Sequence, residues 1–182
     1  MKKSNWVTLS RKTIFESKPY LRVEMHHIQL PSGEIIHDWP WIASPDYVNI
    51  AALTESKHVL AFRQFKYAVQ AETLAAVGGY LKPGEDPLAG AKRELLEETG
   101  FVSDHWRSLG KFVVDGNRGN GHAHLFLAQN AHKVTGIVSD DLEDQDLLFL
   151  SLDEVKEALA KGEFKCLPWQ TVMSLALLLA ES

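Results

Sequence analysis

Cysteine is almost absent: Cys166 stands alone among 182 residues. A single thiol excludes an internal disulfide, a multi-cysteine zinc ribbon and an iron–sulfur cluster, and sets the reducing cytoplasm as the expected location. Long apolar runs are also missing. The longest, Val172 to Ala180, is interrupted by Ser174 and falls well short of the roughly 20 residues a membrane span needs. Met1-Lys2-Lys3 leads into polar and basic residues rather than an apolar segment, so no signal peptide is expected. Nor is there a basic excess: 19 Lys and Arg face 24 Asp and Glu, for a net charge of −5. That balance argues against a nucleic-acid backbone as partner, and it leaves room for a small anionic ligand provided a cation intervenes. What remains, 45% hydrophobic and 24% charged residues, is the composition of an ordinary globular chain. It carries no internal repeat.

The first 44 residues read as β-rich. Tyr20–Leu30 alternates, turns at Pro31-Ser32-Gly33-Glu34 and returns through Ile35–Trp39, a hairpin signature. Ser44-Pro45-Asp46 is the expected joint to a larger domain over 45–182. There a second hairpin, Tyr47–Leu53 with His58–Gln64, precedes a Gly/Pro-punctuated stretch over 71–85. A helix over 86–99 has every boundary signal: Asp86 as N-cap, Pro87 in the first turn, Leu88, Ala91 and Leu95 on one apolar face, and Gly100 just past the end. Strands are expected at Lys111–Val114 and Ala123–Ala128 around the polar loop 115–121, and another at Leu147–Leu150. Ser151-Leu152-Asp153-Glu154 reads as a capping box. A last, core-packed helix over Val172–Ala180 is expected to be broken upstream by Pro168.

Chemistry concentrates on the 86–99 helix. Glu94, Glu97 and Glu98 stand at i, i+3 and i+4, which puts three carboxylates on one face, opposite Leu88, Ala91 and Leu95. The ordinary reading is a solvated acidic face balanced by Lys92 and Arg93. However, the acids crowd the last turn, where the helix dipole disfavours negative charge. A bound divalent cation removes that objection, and an all-oxygen donor set points to Mg²⁺, or Mn²⁺, rather than zinc. Glu85, in the turn before the helix, is near enough to contribute.

Gly79, Glu85, Arg93-Glu94-Leu95, Glu97-Glu98 and Gly100-Phe101 occupy nine defined positions over 23 residues. In this spacing the segment resembles the Nudix box in full. The resemblance implies a Nudix α/β/α sandwich with a mixed sheet and a loop–helix–loop that binds Mg²⁺. It also implies hydrolysis of the pyrophosphate bond of a nucleoside diphosphate derivative. By the same resemblance Glu94 and Glu98 are metal ligands together with the Gly78 carbonyl, Glu97 lies close beside them as a catalytic acid, and Arg93 pairs with Glu85 to orient the loop. The alternative is a non-catalytic nucleotide-sensing domain on this fold, against which the undecayed box argues.

Arg63-Gln64-Phe65-Lys66-Tyr67 and the β-rich first 44 residues resemble the ADP-ribose and nucleotide-sugar pyrophosphatase branch. There the small N-terminal antiparallel sheet serves a homodimer and the first arginine, here Arg63, contacts phosphate. The branch takes its base from a loop after the box, which makes Glu143 in the acidic run 140–146 the candidate. Two departures stand out: Ala75 and Val77 replace the branch's frequent acid and proline, and the loop 115–121 replaces a proline beyond the box. Arg118 in that loop is a candidate substrate contact, and Trp39 and Trp41 are candidates for stacking on a base. His122 and His124 share a strand face and are expected to line the pocket or meet solvent. Cys166 is expected as a buried apolar filler.

Overall fold

The computed structural model describes residues 5–136 and 145–180. They divide into two compact units: residues up to Asp46 together with Val113–His122, and Tyr47–Phe112 with Ala123 onward.

In the first unit, β1 (Val7–Ser17), β2 (Leu21–Gln29) and β3 (Ile35–Ala43) form an antiparallel meander. The β2–β3 hairpin is the one the alternation predicts, closed by Gly33 at φ 89° and by the Gly33 N–H donating to the Leu30 carbonyl. Glu24, His26 and Ile28 on β2 are buried at every second position. The whole of β1 is exposed, including Trp6 just before it and Leu9, Ile14 and Phe15. The start of β9 (Gly119–Lys133) also belongs here, with Gly119 pairing Ile42 of β3. Gly119, at φ 82°, lies where a Cβ would stand 2.4 Å from the Trp41 ring. The Val113–His122 segment therefore joins the N-terminal unit although it lies far along the chain, a placement that chain order does not carry.

In the second unit β4 (Tyr47–Thr54) and β5 (His58–Lys66) form the expected hairpin. β6 (Ala71–Ala75) and β10 (Gln145–Ser151) flank β5 antiparallel, and β9 from Ala123 runs parallel to β4. The sheet is thus mixed. β7 (Phe101–Val102) pairs the end of β9, and β8 (His105–Asp115) also pairs β9. Strands β8 and β9 run longer than the turn-rich sequence between them suggests.

Helices cover both faces. Leu95 and Ala91 of α1 (Pro87–Thr99) pack with Val48, Ile50, Leu60, Phe62 and Phe126. On the other face Leu53, Val59 and Leu127 meet Val155 of α2 (Leu152–Lys161) and Met173 of α3 (Leu167–Ala180). Burial on both sides is why β4 reads as a near-continuous apolar run. Both caps on α1 form: the Asp86 carboxylate accepts from the Leu88 and Ala89 N–H at 3.1 and 3.0 Å, and Gly100 closes the helix at φ 74°. Asp86→Ala is expected to cost about 1 kcal/mol in urea unfolding, since it orphans two N–H donors. The capping box of α2 is present on Ser151 and Glu154. The expected break at Pro168 is corrected: α3 begins at Leu167 and takes Pro168 into its first turn, where no intrahelical N–H bond is lost. Among the described residues no helix is long and apolar enough to cross a membrane.

Candidate active site

Gly78 and Gly79 form the floor of the site. The Val48 N–H donates to the Gly79 carbonyl at 2.9 Å, and Tyr47 and Ile50 bridge Tyr80 and Val77, so the segment 77–80 runs beside β4. A Cβ on Gly79 would stand 2.6 Å from Oε1 of Glu94, and one on Gly78 would stand 2.1 Å from the Val48 carbonyl oxygen. Only glycine lets the backbone and the helix carboxylates come this close. The Gly78 N–H donates to Oε2 of Glu98 at 3.0 Å.

Arg93 organises the acids. Its Nε donates to Glu85 Oε1 at 2.8 Å and its Nη2 to Glu85 Oε2 at 2.9 Å, a bidentate pair, while Nη1 reaches Glu94 Oε1 at 2.7 Å and Glu97 Oε2 at 2.9 Å. Nη2 also donates to the Tyr80 carbonyl at 3.3 Å, and the Lys82 N–H donates to Glu85 Oε2 at 2.8 Å. The guanidinium hydrogen bonds hold the Glu85 carboxyl down at about 2, against the opposing effect of its partial burial and with help from the Lys82 N–H. Arg93 in turn is held above its ordinary range, first by Glu85, against burial, and then by Glu97 and Glu94. Gly90, in mid-helix, leaves space for Leu81 and the Glu85 carboxylate, since a Cβ there would meet Leu81 Cδ2 at 2.4 Å. The backbone donors and acceptors of Lys82 and Tyr80 are the parts sequence reading missed, because residue type carries no signal for them.

The three glutamates differ in depth, which a single solvated face does not describe: Glu94 is buried, while the Glu97 side chain is 46% exposed. Glu94 neighbours Leu95 on the helix, and the Gly79 cradle draws its carboxylate inward. Among the described residues no three His, Cys, Asp or Glu side chains converge as a ready cation site; Arg93 bridges Glu85, Glu94 and Glu97 instead. The available donors are nonetheless all oxygen, from the carboxylates of Glu94, Glu97 and Glu98 and the carbonyl of Gly78, whose N–H meets Glu98. That set suits a hard divalent cation.

Other candidate residues lie elsewhere. Arg63 alternates with Leu60 and Phe62 on β5, so it stands on the α2 face and lines a cleft with Glu154, Glu157, Lys161 and Glu163. The structure does not bring it to Glu94 and Glu98. Lys66 lies 5.7 Å from the centroid of the Trp169 ring. Ala75 and Val77 are buried core residues. Cys166, expected as a buried filler, is half-buried. Glu143 lies outside the described residues.

In the N-terminal unit, Arg118 lies 4.9 Å from the centroid of the Trp39 ring, and Trp39 Nε1–H donates to the Asn117 carbonyl at 2.9 Å. Trp41 stacks on His26, with centroids 5.3 Å apart. His26 in turn contacts the buried Glu24 at 2.9 Å and, with Arg22, holds the Glu24 carboxyl below its usual range despite burial. His122 meets Asp46 through both its N–H and its Nδ1.

A NUDIX domain model matches residues 44–170. A methanol dehydrogenase activator of Bacillus methanolicus is 26% identical over 148 residues, covering 81% of this chain and 79% of its own. An ADP-ribose pyrophosphatase of Bacillus subtilis (strain 168) is 26% identical over 129 residues, 71% of this chain and 69% of its own. The crystal structure of an ADP compounds hydrolase superposes with a TM-score of 0.84 over 100% of this chain and 97% of that one, at 18% identity. This last likeness is one of fold.

Proposed function

This chain belongs to the NUDIX family, and on that premise we propose that it is a Mg²⁺-dependent hydrolase that cleaves the pyrophosphate bond of a nucleoside diphosphate derivative, ADP-ribose or a nucleotide sugar. The observation that carries the reading is the glycine floor: Gly78 and Gly79 hold the Glu98 and Glu94 carboxylates against the backbone. An interior this tight around two acids serves an oxygen-bound cation better than a solvated surface. Among the relatives named above, the ADP-ribose pyrophosphatase supports the substrate class.

Nudix hydrolases generally use divalent metals. A bound cation supplies charge neutralisation and an activated water at the phosphates. Glu94, Glu98 and the Gly78 carbonyl are the residues to hold it, with Glu97 at the exposed rim as a further acid. Arg93 and Glu85 fix the loop that carries Gly79 and Tyr80, so that these donors keep their spacing before substrate arrives. Glu143 is the proposed base. The exposed apolar residues of β1, Leu9, Ile14 and Phe15, support a homodimer built on the N-terminal sheet, and the single thiol supports a cytoplasmic location.

A hydrolysis screen with Mg²⁺ over ADP-ribose, nucleotide sugars, dinucleotides and diadenosine polyphosphates tests the reading. Metal-dependent release of a nucleoside monophosphate from ADP-ribose or a nucleotide sugar is expected. Tight binding without turnover of any member would instead assign the chain to nucleotide sensing.

A further inference from the structure

The register of the second unit places one more polar side chain on the face that carries the carboxylates. Val48 of β4 pairs His124 of β9 on one side. On the other it lies opposite Gly79, since Tyr47 bridges Tyr80 and Ile50 bridges Val77. Residues opposite one another across neighbouring strands project to the same face. At Gly79 that face is occupied by the Glu94 carboxylate, whose Oε1 lies 2.6 Å from where a Cβ would be. The row across the sheet therefore reads Glu94 over Gly79, then Val48, then His124. Val48 is fully buried whereas His124 is half-buried, so His124 is the first hydrogen-bonding side chain met on leaving the carboxylates along this row. Two strand spacings separate the Gly79 and His124 backbones by about 10 Å. The next residue of β9 on this face, Phe126, is already core, which leaves His124 at the rim.

We propose that His124 is a substrate-binding residue that donates a hydrogen bond to the phosphate of the diphosphate lying farther from Glu94 and Glu98. The inference rests on the reading of those two glutamates given above. A cation on those carboxylates would neutralise one phosphate, and the other needs a donor of its own; an imidazole N–H supplies one in either protonation state.

The test uses the full chain with Mg²⁺, comparing wild type with His124→Ala and His124→Gln. KM for ADP-ribose and calorimetric Kd values for α,β-methylene-ADP and for AMP are measured, with thermal melts to confirm folding. His124→Ala is expected to raise KM and the methylene-ADP Kd about tenfold, as loss of a hydrogen bond to a charged group does. The AMP Kd and kcat are expected to stay within about twofold. His124→Gln, which keeps a donor, recovers part of the loss, and it carries the measurement if the alanine variant does not fold. Unchanged KM and Kd, or equal losses for both nucleotides, overturn the assignment of His124 while wild-type hydrolysis leaves the proposed function standing. A wild type that neither binds methylene-ADP nor hydrolyses ADP-ribose overturns both.

Discussion

Glu98→Gln and Glu94→Gln are each expected to lower Mg²⁺-dependent turnover by at least about 10²-fold with the fold intact. Removing a residue that merely orients a metal ligand costs roughly 10- to 100-fold in metal affinity or activity, so replacing a ligand lies at or beyond the upper end of that range. The amide is a close steric copy of the acid, and each position has a contact it preserves. A glutamine carbonyl at 98 still accepts from the Gly78 N–H, and one at 94 still accepts from Arg93 Nη1. What it removes is the negative charge that a divalent cation needs. Thermal melts without metal should therefore match wild type closely, while Mg²⁺ binding by calorimetry weakens in step with the rate. Wild-type turnover in either variant sinks that residue's assignment. A rate lost together with the melting transition would mean that the carboxylate serves folding instead.

Much of this arrangement was legible because it is local. Asp86, Pro87 and Gly100 mark α1 by cap chemistry that involves neighbours within a few residues, and Ser151 with Glu154 does the same for α2. The box spacing likewise fixes which side chains leave one helix face. Depth was not legible. Helical periodicity puts Glu94, Glu97 and Glu98 together, but the burial of Glu94 depends on a glycine fifteen residues earlier and on a strand pairing that no helical wheel contains.

Strand faces were the other blind spot. Arg63 follows a recognisable pattern, yet a one-residue step on β5 decides whether it meets α1 or α2, and it meets α2. The row from Glu94 to His124 needs the parallel pairing of β4 with β9, whose partners are some 76 residues apart in sequence. The same long separation hides the membership of Val113–His122 in the N-terminal unit. Pro168 misleads for the opposite reason: proline is a breaker in mid-helix but is tolerated in a first turn, and its neighbours do not distinguish the two.

Arg93→Ala is expected to destabilise the unliganded protein strongly. One guanidinium holds both oxygens of Glu85, one each of Glu94 and Glu97, and the Tyr80 carbonyl. Its side chain is only 19% exposed, and that of Glu85 only 15%. Truncation removes the one cation shared by three neighbouring carboxylates, and breaking such a pair by removing one partner costs about 3–5 kcal/mol when the pair is buried. Partial exposure puts this site near the lower figure, about 3 kcal/mol, or a melting point about 10 °C lower at this chain length. Arg93→Lys keeps the charge but not the bidentate fork, and should recover less than half of the loss. The pH dependence separates the ion pair from simple loss of side-chain packing. Glu85 falls from 4.5 to about 2 on folding, so its contribution is present in full above about pH 4.5 and disappears as the pH drops towards 2. Urea midpoints taken in EDTA at pH 7, 4 and 3 should converge for wild type and Arg93→Ala as the acid end is approached. A gap that stays constant across that range would show that Arg93 stabilises the loop by packing and not through the carboxylates.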